Sequence, residues 1–510
     1  MKNDGGPGVN KQSSLKSLLF ASFSGRFVYA LASIAALPLL SSLLGTEAVG
    51  LIGFFSTVVM VMMVFEGGLT SNVIQQLAWR KGREHRAKVR FSLSSGSLIV
   101  TYLCFFAVLG LSLSGLIILL SDFIVGKWLN FAELSAHQVK YSLICIALFI
   151  GLNLPILILQ GVFVGRERQV QLNLVYIPYS LARTIGVLLL LLAIPEWRNI
   201  QTYFLIQVFI QIVYVLSLLF IVAREFRGVL SSISPRFIYL KKGWAFSRSV
   251  LLISITSIFV VQYDKLYLSG SVELSDYAAY SLASTLAGLP YIFSSALNSV
   301  LFPRFSINLN SADESRVASV FRAACSGITF LMVVLCVSAY YFGERPIALL
   351  FPAELAGSIA SVLPVLLVGT ALQSILIVPF ALQLAAKWTH ISLRLNLAWI
   401  PIALLLMPMM VDKFGVAGGA YMWLIYNIFS VVLTFMLLAR KFAFLKKINF
   451  ELVRLVVMST LICMLVCYFA QWVAMSILNV YVALSFEAAC VVAIIAAGAY
   501  VFRGSLLQFK

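Results

Sequence analysis

Apolar stretches of 20 or more residues recur along this 510-residue chain from near its start to its end, and no other property limits its fold so severely. Such a stretch crosses the roughly 30 Å hydrocarbon layer as an α-helix, in which every backbone N–H and C=O is satisfied within the segment. A transmembrane β-barrel would instead alternate apolar and polar residues over about ten positions. Composition closes off the water-soluble alternative. Hydrophobic residues make up 61% and charged residues 11%, where a soluble domain carries roughly a quarter charged residues.

Segmentation predicts fourteen spans, at about 17–44, 50–78, 92–120, 141–164, 170–194, 201–223, 247–270, 277–303, 318–342, 358–386, 390–411, 416–439, 453–471 and 481–502. The first is too long for a signal-peptide core and lacks a small-residue cleavage site, so it counts as a span. All seven cysteines fall within apolar segments, which argues against a disulfide framework. Cys463 and Cys467 share a helix face at i,i+4, but no histidine or second pair completes a metal site.

Orientation follows from the basic residues, which are retained preferentially on the cytoplasmic side. With the N-terminus inside, 29 of the 37 Lys and Arg fall on the inner face and 5 on the outer, the other three lying within spans. Both termini are therefore expected in the cytoplasm. The net charge of +18 reads as topology and attraction to anionic headgroups. A nucleic-acid partner is not expected, because the basic residues are spread over short loops.

The longest connection, 224–246, mixes aromatic and basic residues as an interfacial segment does. It divides the chain into a cytoplasmic tail (1–16), six spans (17–223), this linker (224–246), six more spans (247–439) and a terminal pair with its tail (440–510). No loop is long enough to hold a catalytic domain. There is no GxxxxGK[ST], HExxH or nucleophile elbow, and the three histidines (85, 137, 390) sit at or near loops. The sequence argues against an enzyme and requires no cofactor.

The informative residues are the charges inside spans, since each costs roughly 2.5–3.5 kcal/mol on insertion scales and is retained facing a cavity or a partner. Arg183 and Arg26 lie deep, Arg183 beyond easy snorkelling reach. Lys265 can snorkel outward but is also a candidate ligand for an anion. Glu66, beside Gly67 and Gly68, and Asp264 are candidates for ion coupling or for ion pairs with arginines. Asp264 and Lys265 are adjacent, which points them about 100° apart on a helix. Glu487 reads as an outer-interface residue. Two deep arginines against few deep acids suggest a cavity suited to an anion, because guanidinium matches phosphate oxygens bidentately. Asn72, Gln75, Gln160, Gln207, Gln211, Asn298, Gln373 and Asn427 could line it and bond sugar hydroxyls, or bond between helices.

Four stretches carry a family resemblance. LLGTEAVGLIGFFSTVVMVMMVFEGGLTSNVIQQLA (43–78) resembles a Leu-Leu-Gly-Pro-Glu…Tyr-Gly…Asp-Leu-Gly-Leu stretch, with Thr46, Glu66 and Gly67 in place of the usual Pro, Asp and Leu. DKLYLSGSVELSDYAAYSLAS (264–284), ALLFPAELAGSIASVLPVLLVG (348–369, with Pro352 where Gly is common) and KFGVAGGAYMWLIYN (413–427) are similar to further family stretches. Together they resemble Wzx-type O-antigen or lipid-linked oligosaccharide flippases, in the polysaccharide exporter family of the multidrug/oligosaccharidyl-lipid/polysaccharide (MOP) superfamily.

The resemblance implies an all-α integral membrane protein of the bacterial inner membrane. It also implies two pseudo-symmetric six-helix lobes around a cationic cavity and a terminal helix pair outside them. The implied activity is moving an undecaprenyl-pyrophosphate-linked oligosaccharide from the cytoplasmic to the periplasmic leaflet by alternating access. Arg26, Arg183 and Lys265 would bind the substrate, and Glu66 or Asp264 would couple transport to H⁺ or Na⁺. Membrane lipids, a polysaccharide polymerase and biosynthetic enzymes are the expected partners. A cation-coupled multidrug exporter and a peptidoglycan-precursor flippase of the same superfamily are the competing readings.

Overall fold

The computed structural model describes residues 35–86, 93–225, 234–310, 313–386, 388, 390–477 and 479–501. They are helical almost throughout: α1 (Ala35–Leu44), α2 (Thr46–Met62), α3 (Leu69–Arg86), α4 (Leu93–Phe123), α5 (Ala136–Gly165), α6 (Gln169–Leu181), α7 (Val187–Ala193), α8 (Ile200–Glu225), α9 (Phe237–Ser271) and α10 (Leu274–Ala287). After these come α11 (Tyr291–Asn310), α12 (Glu314–Phe342), α13 (Glu344–Leu350), α14 (Ala353–Ile375), α15 (Ile377–Ala385), α16 (His390–Phe414), α17 (Ala417–Lys441), α18 (Leu445–Met475) and α19 (Val480–Val501).

Twelve spans among the described residues are long and apolar enough to cross a membrane. Two of the fourteen expected spans are not among them. The first lies mostly before residue 35, outside the described residues. The eighth, expected as one helix over 277–303, is divided into α10 and α11 at Gly288–Leu289–Pro290. Gly288 closes α10 by donating to Ser284 O at 3.0 Å, and Pro290 has no N–H with which to carry the ladder on. The expected cytoplasmic tails and linker residues 226–233 also lie outside the described residues.

The second expected span, 50–78, is interrupted as well. α2 runs into a 3₁₀ turn at Met63–Glu66, and Gly67 and Gly68 then adopt φ of 57° and 73° before α3 starts. Two consecutive positive φ values are open to glycine at little cost and to other residues only under strain.

Two compact units emerge. Of the described residues, one contains Ala35–Ala36, Phe65–Ser121 and Lys140–Leu251, the other Leu37–Val64, Asp122–Val139 and Leu252–Val501. This division cuts across the boundary expected between lobes 17–223 and 247–439, since α2 belongs with α10–α19. In the first unit, α4 and α5 are tied by Ser114, whose hydroxyl donates to Ala147 O at 2.7 Å. In the second, Phe305, Phe321, Cys325, Leu382, Leu438 and Ile448 bury against one another from α11, α12, α15, α17 and α18.

α18 shows how these helices face lipid. Ser459, Cys463, Cys467, Ala470 and Ala474 form a buried stripe at helical spacing, while Leu465, Phe469 and Trp472 are exposed. Small residues allow close helix approach where no hydrophobic force separates protein from lipid. Cys463 and Cys467 therefore pack against Val334 and Val337, and no metal-binding group of three is found among the described residues.

Within the second unit α2 packs closely on α10. A Cβ on Gly50 would stand 2.2 Å from Leu274 O, and one on Gly53 2.2 Å from Ser281 Oγ, so the two backbones are as close as glycine permits. Thr57 and Tyr277 share a hydroxyl–hydroxyl bond of 2.9 Å across the same seam. Glu47, at the start of α2, is buried and accepts the N–H groups of Ala132, Glu133 and Leu134 at 2.5, 2.9 and 2.8 Å. Leu274 N donates to Asn130 O at 2.8 Å.

Candidate functional site

Arg183 sits in a π-helical turn, Ala182–Gly186, that joins α6 to α7 in one membrane span, Gln169–Ala193. At 1.5 Å per residue it lies about 21 Å along the helix from Gln169 and about 15 Å from Ala193. A π turn leaves carbonyls outside the regular i→i−4 ladder, and such turns recur at functional positions. Arg183 O uses that freedom to accept Gln207 Nε2 at 3.0 Å.

The guanidinium is half-buried and held by groups from α5, α6 and α8. Its Nε donates to Gln207 Oε1 at 2.8 Å and its Nη1 to Tyr179 Oη at 3.2 Å. The Phe149 ring lies 4.5 Å from its central carbon and the Tyr179 ring 5.6 Å. Tyr179 in turn donates to Gln211 Oε1 and stacks on Tyr214 at 3.9 Å, whose hydroxyl accepts Gln160 Nε2 at 3.0 Å. Cation–π contacts and neutral amide acceptors are a means of stabilising a guanidinium in a medium where each is worth more than in water. Gln160, Gln207 and Gln211 were legible as polar residues in spans, whereas Tyr179 and Tyr214 were missed. Tyr179 stands one turn before Arg183, a spacing that could have flagged it.

In the second unit, Asp264 is buried on α9 and accepts the Tyr280 hydroxyl at 2.5 Å. Sequence spacing placed Lys265 about 100° away. Its side chain instead curls back along the helix, so that Nζ reaches Val261 O and Asp264 Oδ2, both at 3.3 Å. The flexible four-carbon stem overrides the helical angle. A void of about 20 Å³ adjoins Asp264, bordered by Tyr263, Trp399 and Trp423. It exceeds the roughly 10–15 Å³ that one water needs.

Glu66 is half-buried in the first unit. Its carboxylate accepts Thr70 N at 2.5 Å and Gly68 N at 3.2 Å, which makes it the cap of α3 within the membrane segment. This is what the Gly67–Gly68 break requires, because a restarted helix leaves its first N–H groups without intrahelical acceptors. Arg26 lies outside the described residues. Glu487, expected at the outer interface, is near the start of α19 but buried, and pairs with Arg345 of α13. Asn72 donates to Gly243 O at 3.4 Å, and Asn427 folds back to Trp423 O at 2.8 Å. These two serve helix packing.

A second cavity of about 270 Å³ lies within the second unit between α9, α14–α15, α16 and α17. Among its described lining residues, Gln373 alone was singled out by sequence reading.

The sequence profile of the family described as "Polysaccharide biosynthesis protein" matches residues 15–309. A relative from Shigella flexneri described as "Putative O-antigen transporter" is 24% identical over 417 residues, covering 80% of this chain and 94% of that protein. Among solved structures, lipid II flippase MurJ in an inward closed conformation superposes with a TM-score of 0.69 at 13% identity, over 96% of this chain and 99% of the other. An inward-facing multidrug resistance MATE transporter of the MOP superfamily gives 0.66 at 14% identity, over 84% and 99%. These named matches are transporters and flippases, not enzymes. The profile covers more than half of the chain, which belongs to the polysaccharide biosynthesis protein family and is a multi-pass membrane protein with the fold of MOP-superfamily transporters.

Proposed function

We propose that this protein flips an undecaprenyl-pyrophosphate-linked oligosaccharide, such as an O-antigen repeat unit, from the cytoplasmic to the periplasmic leaflet of the bacterial inner membrane. The observation that carries the reading is Arg183, a guanidinium within a membrane span that Gln207, Tyr179 and the Phe149 ring hold in place. A pyrophosphate would replace those neutral acceptors with charge-assisted bonds, which are roughly twice as strong. The O-antigen description of the Shigella flexneri relative supports the same substrate class. Arg26 and Lys265 are assigned supporting roles toward the phosphates.

Alternating access fits the seam of α2 on α10. The sequence places α2 in the first lobe and α10 in the second, and their glycine-mediated contact would close an outer exit while substrate loads from within. The paired six-helix lobes belong to this reading. Coupling to H⁺ or Na⁺ is assigned to Asp264, whose adjoining void has room for a water or a bare cation, and to Glu66. Protonating Glu66 would weaken the cap on α3.

The test is Arg183→Ala in a strain that depends on this protein for surface polysaccharide. Display should be lost, lipid-linked sugars should accumulate on the inner leaflet, and membrane abundance of the protein should be unchanged. Normal display would remove Arg183 from the mechanism.

A further inference from the structure

The cavity among α9, α14–α15, α16 and α17 differs in chemistry from both charged clusters. Among the described residues, eight of its fourteen lining side chains are polar, and none is an acid, a lysine, an arginine or a histidine. At about 270 Å³ it far exceeds the roughly 10–15 Å³ that a single water requires. Its polar groups are organised along helix faces. Tyr426, Ser430 and Thr434 succeed one another at i, i+4 and i+8 on α17, and Ser392 and Asn396 at i and i+4 on α16, so that two helices each turn a polar stripe inward.

Some of these groups satisfy one another. Tyr426 donates to Asn396 Oδ1 at 3.0 Å, Asn396 to Ser257 Oγ at 3.3 Å, and Ser392 to Gln383 Oε1 at 3.0 Å. One does not. Ser430 is 3% exposed and its hydroxyl lies beside that of Tyr426, whereas the buried Gln373 Oε1 has no hydrogen-bond partner among the described residues. An unmet buried polar group costs roughly 1–3 kcal/mol, so such groups signal water or a ligand.

We propose that this cavity is a glycan subsite, taking the hydroxyl-rich, uncharged part of the lipid-linked substrate. Sugar hydroxyls both donate and accept, which suits a lining of amides and hydroxyls, and the rings of Tyr426 and Phe380 offer apolar faces for a pyranose. Among the described lining residues an organic cation would find no carboxylate, Asp264 bordering a separate void, and a phosphate would find no cation. The inference rests on the flippase reading, because it presumes a sugar-bearing lipid.

The test uses the full-length protein in lipid nanodiscs with two probes. One is undecaprenyl pyrophosphate, and the other is lipid-linked oligosaccharide isolated from membranes of the deletion strain. Ser430→Ala and Thr434→Val change little volume, and unchanged thermal midpoints verify folding. Each should weaken binding of the glycan-bearing lipid by about 2- to 12-fold, the value of one hydrogen bond at roughly 0.5–1.5 kcal/mol. Binding of the bare lipid should not change. Equal losses for both lipids, or no loss for either, would overturn the subsite. Wild-type protein that holds the glycan-bearing lipid no more tightly than the bare one would overturn the subsite and leave flipping standing. Wild-type protein that binds neither lipid would overturn both.

Discussion

Replacing Gly50 by alanine should open the seam between α2 and α10. The added Cβ would lie 2.2 Å from Leu274 O and 2.9 Å from Leu274 Cγ, where ordinary contact begins at 3.4 Å. The nearer atom belongs to the backbone and cannot rotate away, so the helices must part by ~1 Å. Overpacking of this kind costs about 1–3 kcal/mol, and a bias of that size shifts a two-state equilibrium about 5- to 150-fold. Thr57→Cys, in a protein whose seven native cysteines are replaced, reports the opening. Thr57 is 3% exposed and faces Tyr277 across the seam. Labelling by a membrane-impermeant maleimide added outside intact cells should accelerate within that range in Gly50→Ala. Gly115→Ala is the control, since a Cβ there meets nothing within 4 Å. Labelling of Gly50→Ala at the parent rate, with the protein still folded, would refute the idea that glycine contact holds the seam shut.

Two further substitutions test particular contacts. Arg345→Ala should destabilise the protein by about 3–5 kcal/mol, because it strands the Glu487 carboxylate at 3% exposure. Thermal unfolding should show recovery in Arg345→Met with Glu487→Leu, and no recovery would mean that the pair is not what ties α13 to α19. Glu66→Ala should cost about 0.5–2 kcal/mol through the lost cap on α3, whereas Glu66→Gln keeps an acceptor oxygen and should lose less. If Glu66 also couples an ion, Glu66→Gln should uncouple transport from an imposed pH gradient at near-normal stability, and intact coupling would confine Glu66 to capping.

The spans were legible because bilayer thickness imposes a length that a single sequence displays directly. Arg183 and Asp264 stood out for the converse reason, a charge within an apolar run being conspicuous. The features that stayed hidden depended on partners distant in sequence. Nothing near Glu47 announces that it gathers three backbone N–H groups from residues 132–134. The cage around Arg183 needs α5 and α8 to arrive beside α6, so Gln207 could be named as polar but not as its acceptor. The break at Gly288–Leu289–Pro290 was overlooked because proline is tolerated within membrane helices often enough to pass as a kink. Glu66 beside Gly67 and Gly68 was legible as a charge within a span, and the structure adds that its carboxylate caps α3 beyond the break. For the glycan cavity, residues 426, 430 and 434 carried the i,i+4 signal, but hydroxyls in membrane helices commonly bond their own backbone.

The most direct test is reconstitution of the purified protein into liposomes carrying a lipid-linked oligosaccharide, with glycan exposure read by an impermeant oxidant. The protein should render inner-leaflet glycan reactive at a rate far above that of protein-free vesicles, and Arg183→Ala should return the rate to background. A wild-type rate indistinguishable from empty liposomes, with and without an imposed H⁺ or Na⁺ gradient, would contradict the assignment.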